Sequence, residues 1–514
     1  MSTVMNGSEQ APASGGLLSK ERTIAGPGYN RWLLPPAALA IHLCIGMAYG
    51  FSVFWLPLSK LLPGAPLCSK DPSALTNGWM QFLSMLAGDD AKSLRYVVAK
   101  ALFGGVGEMT LSTCNWDVSA LGWIYTLFFV FLGSAAALWG GWLEHVGPRK
   151  AAVVSALCWC GGMAVSTIGV ATHQLWIMVL GLGVIGGIGL GLGYISPVST
   201  LIKWFPDRRG MATGMAIMGF GGGAFLAGYL NVFFMDRIGV ANTVMTLGAT
   251  YLAIMLIGSR LLERPPAGWK PAGWTPATVT RAMITDRSVT RNEAIQTPQF
   301  FLLWGILFIN VTAGIGILAQ ASPMMQDMFH RTALQAATVV SLISIFNASG
   351  RFLWASGSDY IGRRNTYSIF FLAQFVLFLL IPQLAASGNW LMFQVSLFTV
   401  FTMYGGGFAT IPAFLADIFG PENVGAIHGA LLTAWSAAAV AGPVIITELS
   451  NRAKGALAPG ADRIHIYDTP LQVLAGLLAV GFVLTLLVRP LKASGQAVVA
   501  AETGAFRTRT APGS

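Results

Sequence analysis

The segment LQAATVVSLISIFNASGRFLWASGS, residues 334–358, decides the fold class of this chain. It is apolar and longer than the roughly 20 residues that an α-helix needs to cross a bilayer. It also contains Arg351, and a guanidinium in hydrocarbon costs on the order of 2.5–3.5 kcal/mol and cannot lose its proton. We therefore expect a membrane helix whose arginine faces a protein interior or a water-filled cavity.

Two explanations of Arg351 follow from the sequence. In the first, the side chain extends to the nearer membrane surface or pairs with a fixed acid such as Asp359. In the second, the guanidinium receives an anionic substrate inside the membrane. The two explanations differ in whether the arginine has a permanent partner within the protein.

The whole chain has the composition of a polytopic membrane protein. Of its 514 residues, 54% are hydrophobic and 10% are charged, whereas a soluble domain carries about 25% charged residues. The apolar runs are continuous rather than alternating, which predicts helices and not a barrel. The net charge of +10 comes largely from basic residues at the ends of apolar runs, so it indicates membrane topology rather than nucleic-acid binding. No cofactor and no metal site are expected.

Twelve membrane-spanning helices are predicted. Basic residues cluster in the even-numbered connections, and the positive-inside rule places these connections and both termini in the cytoplasm. The N-terminal tail is polar and rich in Gly and Ser, which predicts disorder. The predicted spans are 32–57, 118–143, 151–171, 174–202, 211–234, 241–260, 299–321, 334–357, 366–386, 391–416, 425–447 and 470–490. The predicted regions are a cytoplasmic tail 1–31, a first half 32–260 with a long extracytoplasmic loop 59–117, a cytoplasmic linker 261–298, a second half 299–490 and a cytoplasmic tail 491–514.

The loop 59–117 holds Cys68 and Cys114, and a disulfide between them is possible if the loop faces an oxidising compartment such as a periplasm. The remaining three cysteines lie in apolar runs and are expected to pack as small hydrophobic residues.

The two halves repeat with one constant offset of 215 residues. A single offset that relates several separated pairs predicts two copies of one six-helix unit, a design that places a substrate site between the halves near the membrane centre. The related pairs are Glu144 and Asp359, Gly147 and Gly362, Pro197 and Pro412, Gly210 and Gly425, Gly214 and Gly429, and Phe220 and Trp435.

The loops GWLEHVGPRK (141–150) and SDYIGRR (358–364) resemble the signature of the major facilitator superfamily, in both expected places. The resemblance implies the major facilitator fold, an all-α membrane protein of twelve transmembrane helices in two pseudo-symmetric halves. It also implies that Glu144, Arg149, Asp359 and Arg364 act as cytoplasmic gates and do not bind substrate.

Several aromatic residues lie well inside predicted spans, where they either pack in the core or line a cavity that holds a small anion. His42 also lies inside a span, and it is either a protonation switch or a satisfied structural histidine. The aromatic candidates are Tyr49, Tyr194, Phe220, Tyr404, Phe408 and Trp435.

Segments 297–324, 346–365 and 404–443 resemble the oxalate/formate antiporter family, which is related to monocarboxylate transporters. The resemblance implies that Arg351 binds a carboxylate and that Tyr404 and Phe408 form its aromatic pair. Trp435 falls where the oxalate-exchanging member of the family has a second cation. The resemblance thus leaves Arg351 as the one cation of the site, which favours a monocarboxylate over the doubly charged oxalate. Asn347 falls where related proton-coupled carriers have an acid, which weakens proton symport through this pair.

The sequence therefore predicts a secondary active transporter of a small organic carboxylate, such as formate, lactate, pyruvate or oxalate. Alternating access with anion exchange is expected, in a bacterial inner membrane and with one chain sufficient. Asn347 would orient the carboxylate on Arg351. The alternatives are a proton-coupled monocarboxylate symporter and, from another class, a non-transporting membrane sensor. An enzyme is not expected, because no catalytic constellation stands out in the spans.

Overall fold

The structure, a computed structural model, describes residues 16, 18–68, 114–274, 284–285, 288–458 and 462–491. In this part of the chain the regular elements are helices, joined by short connections. The long helices are α1 (Leu34–Gly46, continued by the 3-10 helix Met47–Phe54), α2 (Val118–Val146), α3 (Pro148–Ala171), α4 (Leu175–Met178, continued by π-helical Val179–Gly186 and by Gly187–Trp204), α5 and α6 (together Arg209–Arg260), α7 (Pro298–Phe329), α8 (Ala333–Ile361), α9 (Arg363–Ala386), α10 (Trp390–Phe419), α11 (Val424–Leu431, continued by Thr433–Gly455) and α12 (Asp468–Leu487).

Eleven helical stretches in the described residues are long and apolar enough to cross a membrane. The longest, Arg209–Arg260, has 52 residues and is interrupted at Gly239, where φ is 75° and ψ is 170°. A positive φ of this kind suits glycine, so this residue separates α5 from α6. The structure thereby confirms the predicted all-helical fold, with twelve spans in two halves.

Local sequence signals fix the ends of α8, the helix that carries Arg351. The Thr332 hydroxyl accepts a hydrogen bond from the Gln335 amide, while the Gln335 side chain accepts one from the Thr332 amide. This capping box satisfies two amide groups at the start of the helix. The helix ends at Ile361 and is followed by the C-cap residue Gly362, where φ is 86°.

The halves meet where α5 packs along α8 and where α2 packs along α11. Two repeat-related glycines lie in these contacts. A Cβ atom on Gly214 would lie 2.9 Å from the Arg351 carbonyl oxygen, and a Cβ atom on Gly429 would overlap the Ala136 carbonyl. The repeated glycine therefore allows close helix approach at both crossings between the halves.

Residues 18–31 of the predicted disordered tail 1–31 instead pair with the start of the linker, whereas residues 1–15 and 17 lie outside the described residues. The Ala25 amide donates to the Arg264 carbonyl over 2.9 Å, and the Arg264 amide donates to the Thr23 carbonyl over 2.6 Å. The Tyr29 hydroxyl donates to the Leu261 carbonyl, and burial together with the charge of Glu263 raises the pKa of Tyr29 to about 12. Composition alone does not reveal such backbone pairing with a distant segment.

We call the end of the bundle that carries residues 18–31 and the start of 261–298 the linker face. The opposite end carries the Cys68–Cys114 disulfide, which closes a loop with a sequence separation of 46 residues. We call it the disulfide face. Residues 69–113 of the predicted loop 59–117 and residues 492–514 of the predicted tail 491–514 lie outside the described residues.

We expect the disulfide to be detectable by gel mobility. The wild-type protein should migrate faster without reductant than with it, whereas Cys68→Ser should migrate identically in both conditions. In the chain-entropy model, a loop of this size contributes up to about 4 kcal/mol, so reduction should also lower the melting temperature of the purified protein. Cys160→Ser, at a buried free cysteine, is the control, and an identical response of Cys68→Ser and wild type would contradict the bond.

Candidate functional site

Arg351 is fully buried on α8, in the interior of the protein rather than at a membrane surface. Its Nε donates to the Asn347 Oδ1 over 2.9 Å, and its Nη1 donates to the Ile217 carbonyl over 3.2 Å. Its Nη2 has no hydrogen-bond partner among the residues that the structure describes. None of the ion pairs found among the described residues involves Arg351. The guanidinium is thus held in place on two sides and lacks a fixed anion.

Asp359 is not the partner of Arg351. Its two carboxylate oxygens accept hydrogen bonds from the Gly210 and Met211 amides, each over 2.9 Å, and it forms an ion pair with Arg363. These contacts rule out the first of the two explanations of Arg351, because the side chain neither reaches a surface nor pairs with Asp359.

Aromatic rings from three helices surround the guanidinium. The Arg351 Cζ lies 5.2 Å from the ring centre of Phe408, 5.5 Å from that of Phe220 and 6.0 Å from that of Tyr49. Rings at these distances stabilise a cation through their quadrupoles. Phe220, which belongs to one of the repeat-related pairs, completes the set.

Trp435 and Tyr194 extend this cluster toward α4 and α11. The ring of Trp435 lies 4.4 Å from that of Phe408 and 5.4 Å from that of Tyr194. Both residues are fully buried, and within the described part of the chain neither the Trp435 Nε1 nor the Tyr194 hydroxyl has a hydrogen-bond partner. Buried Tyr and Trp side chains usually find a partner, so these two unpaired groups and the Arg351 Nη2 are suited to a polar ligand. We call Arg351, Asn347, Tyr49, Tyr194, Phe220, Tyr404, Phe408 and Trp435 the cage.

A cavity of about 320 Å³ lies between the halves on the disulfide-face side of the cage. Tyr49 and Asn347 line it, whereas Arg351 lies behind them. The Tyr49 hydroxyl is 2.8 Å from the Tyr404 hydroxyl, and this hydrogen bond joins α10 of the second half to the 3-10 continuation of α1 in the first. The tyrosine pair thus stands between the cavity and the guanidinium. The further lining residues are Trp55, Tyr125, Gly221, Ala224, Leu318, Ala319, Val340, Ile343 and Ser344.

On the linker face, the two repeat-related acids cap helices of the opposite half. Asp359 binds the first-turn amides of α5, as described above, and the Glu144 Oε1 accepts from the Gly425 amide at the start of α11 over 3.2 Å. A carboxylate is stabilised at a helix N-terminus by the unpaired amides and the helix dipole. Gly210 and Gly425 are themselves separated by the repeat offset, so the same contact is made twice across the interface.

A further ion pair links the halves beside these caps. The Arg209 Nη1 donates to the Asp417 Oδ1 over 2.8 Å, and the Arg363 Nε donates to the Asp417 Oδ2 over 3.2 Å. The side chains of Arg209 and Asp417 are only 13% and 11% exposed. We call Glu144, Asp359, Arg209 and Asp417 the linker-face gate.

The structure places Arg149 and Arg364 away from this gate. Arg149 pairs with Glu263 over 3.2 Å, within the first half and its linker. Arg364 donates to the Leu486 carbonyl over 2.7 Å, within the second half. Arg363, the neighbour of Arg364, occupies the place at the interface instead. Sequence reasoning missed Arg209 and Asp417, although an acid near the end of an apolar run and a basic residue at a helix start were visible signals.

The part of the chain that the structure describes has no group of three or more His, Cys, Asp or Glu side chains arranged to hold a metal ion. The cage combines one fixed cation, several neutral donors and apolar walls.

Comparison with known protein families shows which family the chain belongs to. The sequence model of the Major Facilitator Superfamily matches residues 93–443 and 322–509, two segments that overlap. The chain belongs to the Major Facilitator Superfamily. It is therefore a multi-pass membrane transporter of this superfamily rather than an enzyme.

Similar superfamily members include transporters of small carboxylates. The oxalate:formate antiporter of Oxalobacter formigenes is 29% identical over 261 residues, which cover 50% of this chain and 59% of that protein. The apicoplast pyruvate carrier 1 of Toxoplasma gondii is 24% identical over 449 residues, which cover 76% of this chain and 78% of the carrier.

Solved structures of the superfamily share the fold. The human organic anion transporter MFSD10 has a TM-score of 0.58 and 17% identity, with 90% of this chain and 100% of that chain covered. FucP in the outward conformation has a TM-score of 0.56 and 12% identity, with coverages of 89% and 99%. These likenesses support the two-half helical architecture.

Proposed function

We propose that this superfamily member moves a small organic carboxylate across a bacterial inner membrane by alternating access. The observation that carries the proposal is the unpartnered Nη2 of fully buried Arg351 inside the aromatic cage. A carboxylate there would meet the remaining donor edge of the guanidinium and offset its charge. Similarity to carriers named for oxalate, formate and pyruvate supports the same class of substrate.

Each cage residue has a proposed role. Asn347 orients the guanidinium, Trp435 and Tyr194 offer neutral donors, and Tyr49 and Tyr404 close the cage toward the cavity. One cation matches one carboxylate, which favours formate, lactate or pyruvate over oxalate. Exchange of one anion for another is the basic mode, because a loaded cage has no net charge and an empty one retains an unpaired buried cation.

The linker face is proposed to be cytoplasmic, together with both termini. The cavity then opens toward the extracytoplasmic side and the linker-face gate closes the cytoplasmic side. Opening that gate removes Asp359 and Glu144 from the helix starts of the opposite half. One chain contains both halves and is proposed to work alone.

The test is exchange in proteoliposomes loaded with one unlabelled anion and supplied with the same anion in labelled form. Labelled formate, lactate, pyruvate and oxalate are compared with a non-carboxylate control such as xylose. Saturable exchange of at least one carboxylate supports the proposal. Absence of exchange for all four anions, from protein that is folded and correctly inserted, would contradict it and would favour a non-transporting sensor.

Tyr49→Phe tests the tyrosine pair that separates the cavity from the cage. The change removes one hydroxyl and leaves that of Tyr404 unpaired, which costs about 1–3 kcal/mol for a buried polar group. We expect the half-saturating substrate concentration or the exchange rate to change by about tenfold. Tyr125→Phe is the matched control, since Tyr125 lines the same cavity, and equal effects of the two changes would contradict a special role of the pair.

A further inference from the structure

A glycine on α7 packs directly against one of the cage residues. A Cβ atom added at Gly314 would overlap the Cδ2 of the Tyr404 ring and would lie 2.7 Å from its Cε2. Carbon atoms in favourable contact are about 3.5–4.0 Å apart, so a side chain at this position would displace the ring. Gly314 thus provides the space in which the ring of Tyr404 lies.

The other neighbours of the Tyr404 ring belong mostly to the cage. The ring centre of Tyr404 is 5.3 Å from that of Phe408, and its hydroxyl is 2.8 Å from the Tyr49 hydroxyl. Phe401, one turn earlier on α10, packs against it with the ring centres 5.8 Å apart. The fully buried ring therefore stands between α7 and the proposed substrate site.

The backbone of α10 beside this ring has no room to shift. A Cβ atom on Gly405 would overlap the Asn347 carbonyl oxygen of α8, and one on Gly407 would overlap the Asn310 Nδ2 of α7. The α10 backbone is thus in contact with a helix on each of two sides. Because protein interiors are close-packed and transmit strain, a larger residue on α7 cannot be accommodated by moving α10 as a whole.

Buried hydrogen bonds hold the same part of α10 in place. The Asn310 Nδ2 of α7 donates to the Tyr404 carbonyl over 3.5 Å, and the Gln374 Nε2 of α9 donates to the Asn310 Oδ1 over 3.2 Å. The Tyr367 hydroxyl of α9 donates to the Gly407 carbonyl over 2.6 Å. Breaking such buried bonds leaves polar groups unsatisfied, which is costly. The Tyr404 side chain is therefore freer to move than its backbone.

We propose that Gly314 is a specificity-determining residue that sets the largest anion the cage accepts. The inference rests on the proposed function, in which a carboxylate binds Arg351 beside Tyr404. Since the backbones are fixed, a methyl group at position 314 displaces the Tyr404 ring away from α7 and toward the anion. Space is then lost around the part of the anion that extends beyond its carboxylate. The smallest carboxylates still bind, and larger ones lose affinity.

Close packing of α7 on α10 is the ordinary role of a helix glycine at such a contact, and it predicts a different result. If Gly314 served packing alone, a methyl group there would lower the stability of the protein and the exchange of every anion to the same extent. A specificity role instead changes the affinities of the anions relative to one another. The ratio of affinities for large and small carboxylates therefore separates the two roles.

The experiment uses full-length protein in proteoliposomes and the labelled carboxylate that exchanges best among formate, lactate, pyruvate and oxalate. Unlabelled formate, acetate, propionate and butyrate compete from outside, because they carry the same charge and each is one carbon longer than the last. The half-inhibitory concentration of each anion is measured for wild type and for Gly314→Ala. Gly305→Ala is the matched control on the same helix, since among the described residues a Cβ atom there would meet only the end of the Leu484 side chain.

For Gly314→Ala, we expect the half-inhibitory concentration of the largest anion that inhibits wild type to rise about tenfold or more, the usual effect of one methyl group in a binding pocket. The value for the smallest inhibiting anion should change less than about threefold, and Gly305→Ala should match wild type for every anion. Unchanged values for Gly314→Ala, or an equal change for all anions, overturn the inference and leave the proposed function intact.

Removing the ring gives a second decision, which also applies if Gly314→Ala does not fold. Tyr404→Val lacks the ring that the added methyl group would meet. Adding Gly314→Ala to Tyr404→Val should therefore leave folding and the relative affinities as they are in Tyr404→Val alone, a non-additive result typical of residues in contact. A further loss of the larger anions, or of folded protein, overturns the inference. Absence of exchange in wild type is instead a failure of the proposed function, so the two failures are distinguishable.

Discussion

Replacing Arg351 with glutamine is expected to lower carboxylate exchange at least about 100-fold. The change removes the one cation of the cage, so that a bound carboxylate would be left buried and unpaired. Truncating one partner of a buried charge pair typically costs about 2–5 kcal/mol, and each 1.4 kcal/mol is tenfold in affinity. The Arg351→Gln substitution should also abolish any increase in melting temperature that the substrate produces.

Arg351→Lys should retain part of this function, because the charge remains and the planar fork is lost. We expect an affinity about tenfold weaker than that of wild type. The matched control is Arg452→Gln, since Arg452 is 69% exposed and pairs only with Glu448 on its own helix among the described residues. Equal loss in Arg351→Gln and Arg452→Gln at normal expression would mean that the cage cation has no special role.

The second large effect is expected at the linker-face gate. Arg209→Gln removes the hydrogen-bonded ion pair to Asp417 that joins the two halves, while Arg363 remains beside that acid. Hydrogen bonds to charged groups contribute about 1.5–3 kcal/mol. The equilibrium should therefore shift about tenfold or more away from the conformation that is closed on the linker face.

Cysteine labelling measures this shift. Ser344→Cys lines the cavity on the disulfide-face side, and in a background without Cys44, Cys158 and Cys160 it should react with a membrane-impermeant maleimide. Arg209→Gln should slow the reaction severalfold. Its control is the adjacent Arg208→Gln, since Arg208 is exposed and should leave the rate unchanged. If both variants react at the parent rate, the ion pair does not hold the gate closed.

The sequence was sufficient to predict that the chain consists of two repeated halves and that Arg351 is buried. Glu144 and Asp359 are 215 residues apart, as are Gly210 and Gly425. This shared spacing already implied that a contact made by Glu144 in one half has a counterpart made by Asp359 in the other. The structure shows the contact itself: each acid caps a helix of the opposite half. The sequence did not predict which group each acid contacts, because a carboxylate in a loop can pair with a basic side chain or with the amides at a helix start.

Neighbouring residues show why gate residues were harder to predict. Arg363 and Arg364 are adjacent, and consecutive residues on a helix point about 100° apart. Only the rotation of α9 in the bundle decides that Arg363 reaches Asp417 while Arg364 reaches the Leu486 carbonyl. That rotation is set by packing along the whole helix and leaves no trace in a two-residue motif.

The amino-acid sequence by itself determined the helical membrane fold, its two repeated halves and the presence of a cation at the membrane centre. These follow from apolar length, constant spacing and the cost of burying charge, which act along one chain segment at a time. The tertiary structure decided that His428 approaches Tyr194, that Phe220 borders Arg351 and that Arg209 meets Asp417. Such contacts join residues more than a hundred positions apart, and only the packing of helices brings them together.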